Sequence, residues 1–344
     1  MKKKSGTQRA KRSPSRPAGG SDAARPARTR AIDRAKVRTV PARTRKSRVK
    51  VADEAHPLDP GASVADLVAS LPDQLAGAEL RGVLRAWARA WSAERTVLFG
   101  FGAHLVKVGL APIVIDLMER GAINALMMNG AGCVHDLELS MLGHTSEDVA
   151  AGLEDGSFGM AGETAARLND AIARGHREGL GMGEAIGHDI LASRDRHRER
   201  SVLAAAARLG LPVTVHTAVG TDIHHMHAGA DGAALGATSH RDFERLTGVV
   251  AGLSKGVFFN VGSAVILPEV FLKALALARN LGHRVQGVTT VNLDFVRHYR
   301  PETNVVDRPT RGSGRGYSIV GHHELMLPLL AAGVKEVRAG RVRV

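Results

Sequence analysis

Residues 215–232 read VHTAVGTDIHHMHAGADG and set four imidazoles, His216, His224, His225 and His227, around one carboxylate, Asp222. Such density allows three chemistries: a metal site, a proton-transfer site, or a nucleotide pocket. For a metal, His135 with Asp136, His216, Asp222 and the three later histidines offer mixed N and O ligands of the kind zinc or another first-row ion takes. On an extended segment His225 and His227 share one side and His224 faces the other. The spacing matches no HExxH pattern and Cys133 is the sole thiol, so no established zinc signature is present. In the other readings some imidazoles bond a ligand or move a proton, and the rest bond carbonyls or sit at an interface. His135 and His216 stand out because each follows an apolar run of strand character.

The chain that must position these groups has 344 residues, enough for one large domain or two small ones. Apolar residues make up 44% and aromatics only 3%, with 39 glycines, so the core must be built of Ala, Val, Leu and Ile with tight turns. Every apolar stretch is interrupted before the length needed to cross a bilayer, which argues against a membrane partner. The basic start has no apolar run behind it, which argues against a secretory signal. With one cysteine no internal disulfide is available, and the chain reads as cytoplasmic. The formal charge of +13 is concentrated at one end. Residues 1–50 hold 18 Lys or Arg against Asp22 and Asp33, a balance of +16 that leaves −3 for the rest. Residues 1–55 lack core-forming side chains and read as a disordered basic tail, capable of weak, salt-sensitive contact with nucleic acid through residues 1–50. Residues 56–344 read as the folded domain.

Within that domain SVADLVASLPDQLAGAELRGVLRAWARAWSAE has helical spacing, with Leu80, Leu84, Trp87 and Trp91 three and four apart. Strand-then-helix units follow. TVLFGFGAHLVKVG, INALMMNGAG, LPVTVHTAVG, GVFFNVGSAV and RVQGVTTVNLD each carry a buried strand pattern, with helices such as RERSVLAAAARLG and LPEVFLKALALARNLG between them. Pro268 and Gly282 punctuate the last of these helices. Such alternation predicts an α/β fold whose mostly parallel sheet is covered by helices on both faces. Ligands then lie outside the carboxyl ends of the strands, where this sequence places Gly, Ala, Asn, Asp and His. None of these segments is a GxGxxG fingerprint.

In this order the strand-end segments resemble the deoxyhypusine synthase family over about residues 95 to 338. GFGAHLVKVGL is similar to the family's first glycine segment, with His104 in place of an asparagine. NGAGCVHDLE resembles its Ala-Gly-Gly-Val-Glu-Glu segment, and AVGTDI its Thr-Asp-Gly-Ser loop. NVGSAV stands at the triple glycine and HYRPETNVV at an Arg-Pro-Asp-Glu stretch. The resemblance implies a Rossmann-like fold, a homotetramer, and NAD bound at subunit interfaces. It also implies oxidation of spermidine or another amine with transfer of its aminobutyl group. The implied cofactor contacts are Gly102, His104, Gly130, Ala131, Gly132, Asp136, Asp222, Asn260, Gly262 and Thr290. The implied polyamine contacts are Asp294 and Glu302, although Arg297, His298 and Arg300 beside them offer ordinary ion pairs.

The departures bear on the chemistry. The family's imine-forming lysine lies in a Trp-Gly-Lys segment where this chain reads NVVDRPTRG, and its histidine after the triple glycine is replaced by apolar SAVILPEV. Imine formation needs a primary amine able to lose its proton. After residue 50 the lysines are Lys107, Lys255, Lys273 and Lys335, and only Lys107 follows a strand end closely enough to stand in. His135, His216 and His225 are the other catalytic candidates, since a neutral imidazole beside a nicotinamide can take a proton from an amine. Two other classes remain open: a non-catalytic nucleotide-binding scaffold whose tail meets nucleic acid, and a metal enzyme built on the histidines. RDRHRER (194–200) reads as a solvated charged segment, and PTRGSGRGYS (309–318) as a flexible loop able to fold over a ligand.

Overall fold

A computed structural model describes residues 31–344. Contacts divide the chain into Met1–Arg48 and Val49–Val344. The described part of the first unit holds two short turns, Arg34–Lys36 and Ala42–Thr44, with every side chain exposed. Most of the tail expected to meet nucleic acid lies outside the described residues. Within the second unit the Asp73 N–H donates to the Asp53 carbonyl.

The second unit is an α/β fold. Its elements run α1 (Val64–Ser70), α2 (Leu75–Ser92), β1 (Val97–Phe101), α3 (His104–Lys107), α4 (Ala111–Glu119), β2 (Ala125–Asn129), α5 (Gly130–Leu142) and α6 (Val149–Asp155). Then come α7 (Gly162–Glu178), α8 (Met182–Ala192), α9 (Val202–Leu209), β3 (Val213–His216), α10 (Gly232–Ala251), β4 (Val257–Val261) and α11 (Ile266–Asn280). The last elements are β5 (Val288–Asp294), α12 (Tyr299–Pro301), β6 (Gly314–Val320) and α13 (His323–Arg338). The six strands form one sheet in the order β3-β2-β1-β4-β5-β6, every pair parallel. This doubly wound arrangement is Rossmann-like, and its strand order reverses between β1 and β4.

Side-chain alternation explains the two helical layers. Phe99 and Phe259 point to the face covered by α2 and α13, where the Trp87 ring lies 4.6 Å from that of Phe259. Their neighbours Leu98 and Phe258 point to the opposite face, where Phe258 stacks on Phe271 of α11 at 3.9 Å. Both faces are therefore dry, as uninterrupted Val, Phe and Met runs require. The helix read from residues 63 to 94 is two helices. Ser63 starts the first with a reciprocal capping box to Asp66, and Pro72 separates it from the second.

The segment expected as a flexible loop over a ligand instead enters the sheet from Gly314. Its seven residues pair with β5 from Val288↔Gly314 to Asp294↔Val320, burying Tyr317 and Ile319. Glycines hid this strand, and the packing explains one of them: a Cβ on Gly316 would lie 2.1 Å from the Val306 carbonyl oxygen. At the other edge α10 closes β3. The Val215 N–H donates to Asp242 Oδ2 at 2.8 Å, and Ser239 Oγ donates to the Val215 carbonyl at 3.0 Å. Among the described residues no helix is long and apolar enough to cross a membrane.

Candidate active site

At the carboxyl ends of β1, β2 and β3 lies a cavity of about 230 Å³. Val134, Val149, Phe158 and Ile223 give it apolar walls, and Lys107, His135, Glu138, Glu147 and Asp222 bring charge and proton-transfer groups to it. Placement follows from local chemistry. Asn129 ends β2 and caps α5, its Oδ1 accepting from the Gly132 N–H at 3.1 Å. That cap starts α5 at the opening, and the first three turns of the helix bring Ala131, Val134, His135 and Glu138 to the cavity.

Asp222 reaches the same helix start from the β3–α10 connection, where the Ala131 N–H lowers its pKa. Gly130 makes room, since a Cβ there would lie 1.9 Å from Asp222 Oδ2. The positive end of α5 favours the carboxylate, yet burial outweighs it and raises the Asp222 pKa to about 6. His225 supports the loop: its Nδ1 accepts the N–H groups of Gly220 (3.1 Å) and Asp222 (3.4 Å). The proton of the neutral ring is thereby placed on Nε2, 3.8 Å from Asp222 Oδ2, and both of these buried atoms lack a hydrogen-bond partner. His224, its ring tilted 58° to that of His225 with centroids 4.3 Å apart, has neither ring nitrogen bonded. His227 bonds the Gly159 carbonyl through Nε2 at 2.8 Å.

His135 projects from α5 and is half-buried. Its Nδ1 lies 2.7 Å from Thr145 Oγ1, and the Thr145 hydroxyl donates to Glu138. Burial first, and the Lys107 ammonium second, lower its pKa to about 4, so the ring is neutral at physiological pH. Lys107 is exposed at the end of α3. The other lysines of the folded unit lie elsewhere: Lys273 pairs with Glu269, Lys335 with Asp116 at 2.5 Å, and Lys255 precedes β4 at its amino end.

Several residues implied by the resemblance are engaged away from this cavity. Asp136 points from a different face of α5, buried, and accepts from Ser201 Oγ (2.5 Å) and the N–H groups of Val202 (2.8 Å) and Leu203 (3.1 Å). It thereby caps α9 in place of facing a cofactor. His216 is buried at the end of β3 with Nε2 3.0 Å from Thr214 Oγ1, and burial lowers its pKa to about 4. Asn260 gives its amide hydrogens to the Ser263 carbonyl (2.9 Å) and to Asn292 Oδ1 (2.8 Å). Thr290 is fully buried in the middle of β5, and its hydroxyl has no partner. Asp294 accepts the N–H of Phe295 at 2.8 Å, and Glu302 accepts the Ser318 hydroxyl. Glu302 also lies apart from Arg300, which pairs with Glu269 at 3.4 Å.

The glycines have internal reasons as well. A Cβ on Gly102 would meet the Gly262 carbonyl oxygen at 2.4 Å, so the ends of β1 and β4 touch through their backbones. Gly262 has φ +64° and lies under His323, whose Nε2 is 3.2 Å from the Leu293 carbonyl oxygen. His104, Phe295, His322 and His323 form a ring cluster over this strand-order reversal, with the Phe295 and His322 rings nearly parallel at 6.1 Å. The sequence reading missed His322 and His323. Their signal was position: two histidines at the start of the helix that follows the last strand.

For a nucleotide, the apolar walls suit a base, Lys107 offers charge to a phosphate, and Asp222 lines the same cavity. Three carboxyl groups against one ammonium suit an amine equally. No three His, Cys, Asp or Glu side chains converge to hold a metal among the described residues.

No protein-family model and no curated protein matches the chain. Solved structures do. A candidate deoxyhypusine synthase from Entamoeba histolytica is similar at 11% identity over 85% of this chain and 98% of that one, with a TM-score of 0.50. A conserved LOR/SDH-type protein from Methanococcus maripaludis S2 is similar at 13% identity over 77% and 71%, TM-score 0.48. ArgZ, an arginine dihydrolase of the ornithine–ammonia cycle in cyanobacteria, is similar at 14% identity over 75% of this chain, TM-score 0.46. The chain spans 32% of ArgZ. The likeness to the Entamoeba protein shows a distantly related fold.

Proposed function

We propose that the chain is a divergent deoxyhypusine synthase-like enzyme, an NAD-linked transferase that oxidises an amine or polyamine and passes on its alkylamine group. The observation that supports it best is a neutral imidazole, His135, in a cavity carrying three carboxyl groups and one ammonium. Glu147 and Asp222 draw a cationic amine inward, and the apolar walls take its methylenes. His135 accepts the proton that an ammonium must lose before its carbon can be oxidised. Bound NAD would accept the hydride from that carbon, with Asp222 holding a ribose hydroxyl and Lys107 facing a phosphate. An acceptor amine can then add to the oxidised carbon as the original amine leaves, and the new imine would take back the hydride held on bound NAD; Lys107 is a primary amine of this chain within the same cavity. Homotetramer formation, with NAD at subunit interfaces, belongs to the same reading.

The test is thermal stabilisation by millimolar NAD, followed by the absorbance of reduced nicotinamide on adding di- and triamines. Stabilisation, together with amine-dependent reduction that His135→Gln removes, supports the reading. No stabilisation and no reduction with any amine rejects it.

A further inference from the structure

We infer that Glu138, acting through Thr145, is a positioning residue that holds the proton of His135 on Nδ1 and leaves Nε2 bare for the cavity. The direction of the hydrogen bonds carries this. A carboxylate accepts only, so the bond between Glu138 Oε2 and Thr145 Oγ1 must use the threonine proton. With its one hydrogen spent, Thr145 Oγ1 can only accept from His135 Nδ1, 2.7 Å away. The neutral ring therefore carries its hydrogen on Nδ1, and Nε2 keeps a lone pair. Thr164 of α7 anchors the far end, donating to Glu138 Oε1 at 3.2 Å. The chain Thr164–Glu138–Thr145–His135 thus ties α7, α5 and the loop before α6 into one hydrogen-bonded line that ends at the lone pair of His135 Nε2.

Position on α5 makes the line possible. Residues 135 and 138 are neighbours on one helix face, and the Gly143 turn, φ +78°, brings Thr145 back over them. A donor-only partner in place of Glu138 would let Thr145 donate to His135 and move the ring proton to Nε2. Proton acceptance at the cavity would then be lost without any atom leaving its place. The arrangement orders a base much as a carboxylate orders a histidine elsewhere, with a hydroxyl inserted between them.

What the free nitrogen is for rests on the amine-transferase reading above; the tautomer itself does not. The experiment therefore uses the full chain without amine or NAD. Long-range ¹⁵N–¹H spectra of histidine-labelled protein, with the His135 signals identified by His135→Gln, report which nitrogen bears hydrogen at neutral pH. The expected result is Nδ1–H in the wild type, Thr145→Ser and Glu138→Gln, whose amide oxygen still accepts. Thr145→Val and Glu138→Ala should shift His135 to Nε2–H or to a mixture. Nε2–H in the wild type, or Nδ1–H retained in Thr145→Val, overturns the proposal. Should either disruptive variant not fold, the wild-type tautomer alone decides. Calorimetry with 1,4-diaminobutane is run separately. A chain with the expected tautomer that binds no amine removes the proposed function and leaves the relay standing.

Discussion

The two halves of the sheet are built from the same strand-then-helix unit but end differently. Beyond β1, β2 and β3 the connections stand apart and enclose a cavity, and this half buries the titratable groups Asp136, Asp222, Asp242, His216 and His224. Beyond β4 and β5 the ends are filled: Asn260 bonds Asn292, His323 covers Gly262, and Asp294 turns back on Phe295. Small residues at strand ends are thus compatible with either outcome. Whether they admit a ligand depends on what the following loop lays over them.

Four changes probe this contrast, the largest effect first. Asp136→Ala leaves the start of α9 and Ser201 without an acceptor inside the first half. It should cost about 3–5 kcal/mol of unfolding free energy by urea denaturation, against about 1–3 kcal/mol for Asn292→Ala in the second half. Equal costs would erase the distinction.

The second concerns pH. His216 is neutral in the fold down to about 4 against an ordinary 6.5, so the unfolded chain binds its proton first on acidification. Its contribution is fully present above 6.5 and lost as pH falls toward 4. Asp242 works in the opposite sense, because burial raises its carboxyl to about 7, and the stability tied to its neutral form is lost as pH rises from about 3.8 to that value. The two trends oppose each other in the wild type. In His216→Asn the imidazole part is gone, so stability relative to wild type should improve by about 3 kcal/mol between pH 7 and pH 4. An unchanged difference across that range would show that His216 titrates normally.

Third, Gly262→Ala places a Cβ at φ +64° and 2.6 Å from His323 Cε1, which should cost about 1–3 kcal/mol in chemical denaturation while leaving amine binding intact. Loss of binding with retained stability would move the site to the second half. Last, His135→Gln should change stability by no more than about 0.5 kcal/mol yet slow any amine oxidation by about 100-fold or more. Full activity in this variant would release His135 from the site.

Much of the fold was legible because it rests on local rules. The apolar runs at 97–101, 125–129, 213–216, 257–261 and 288–294, and the glycine and proline punctuation between them, marked five strands. The sixth was hidden because Gly312, Gly314 and Gly316 resemble a loop until their neighbours are known. Of the site, Lys107, Ala131, His135 and Asp222 line one cavity; Lys107 and His135 stood out by position after a strand, Ala131 and Asp222 through the family resemblance. Glu138, Thr145, His322 and His323 were not, because their partners lie far along the chain or on another element.

By itself the sequence determined the elements and their alternation, since hydrophobic period and capping residues act over a few neighbours. It also determined that no lysine stands in the DRPTRG that adjoins HYRPETNVV. Tertiary structure alone decided which polar groups face the cavity. Asp136 and His135 are adjacent on α5, yet one turns inward to cap α9 and the other outward to the opening. Residues one apart on a helix are rotated by about 100°, so packing of α9 against α5 divides chemistry from scaffold between two neighbours.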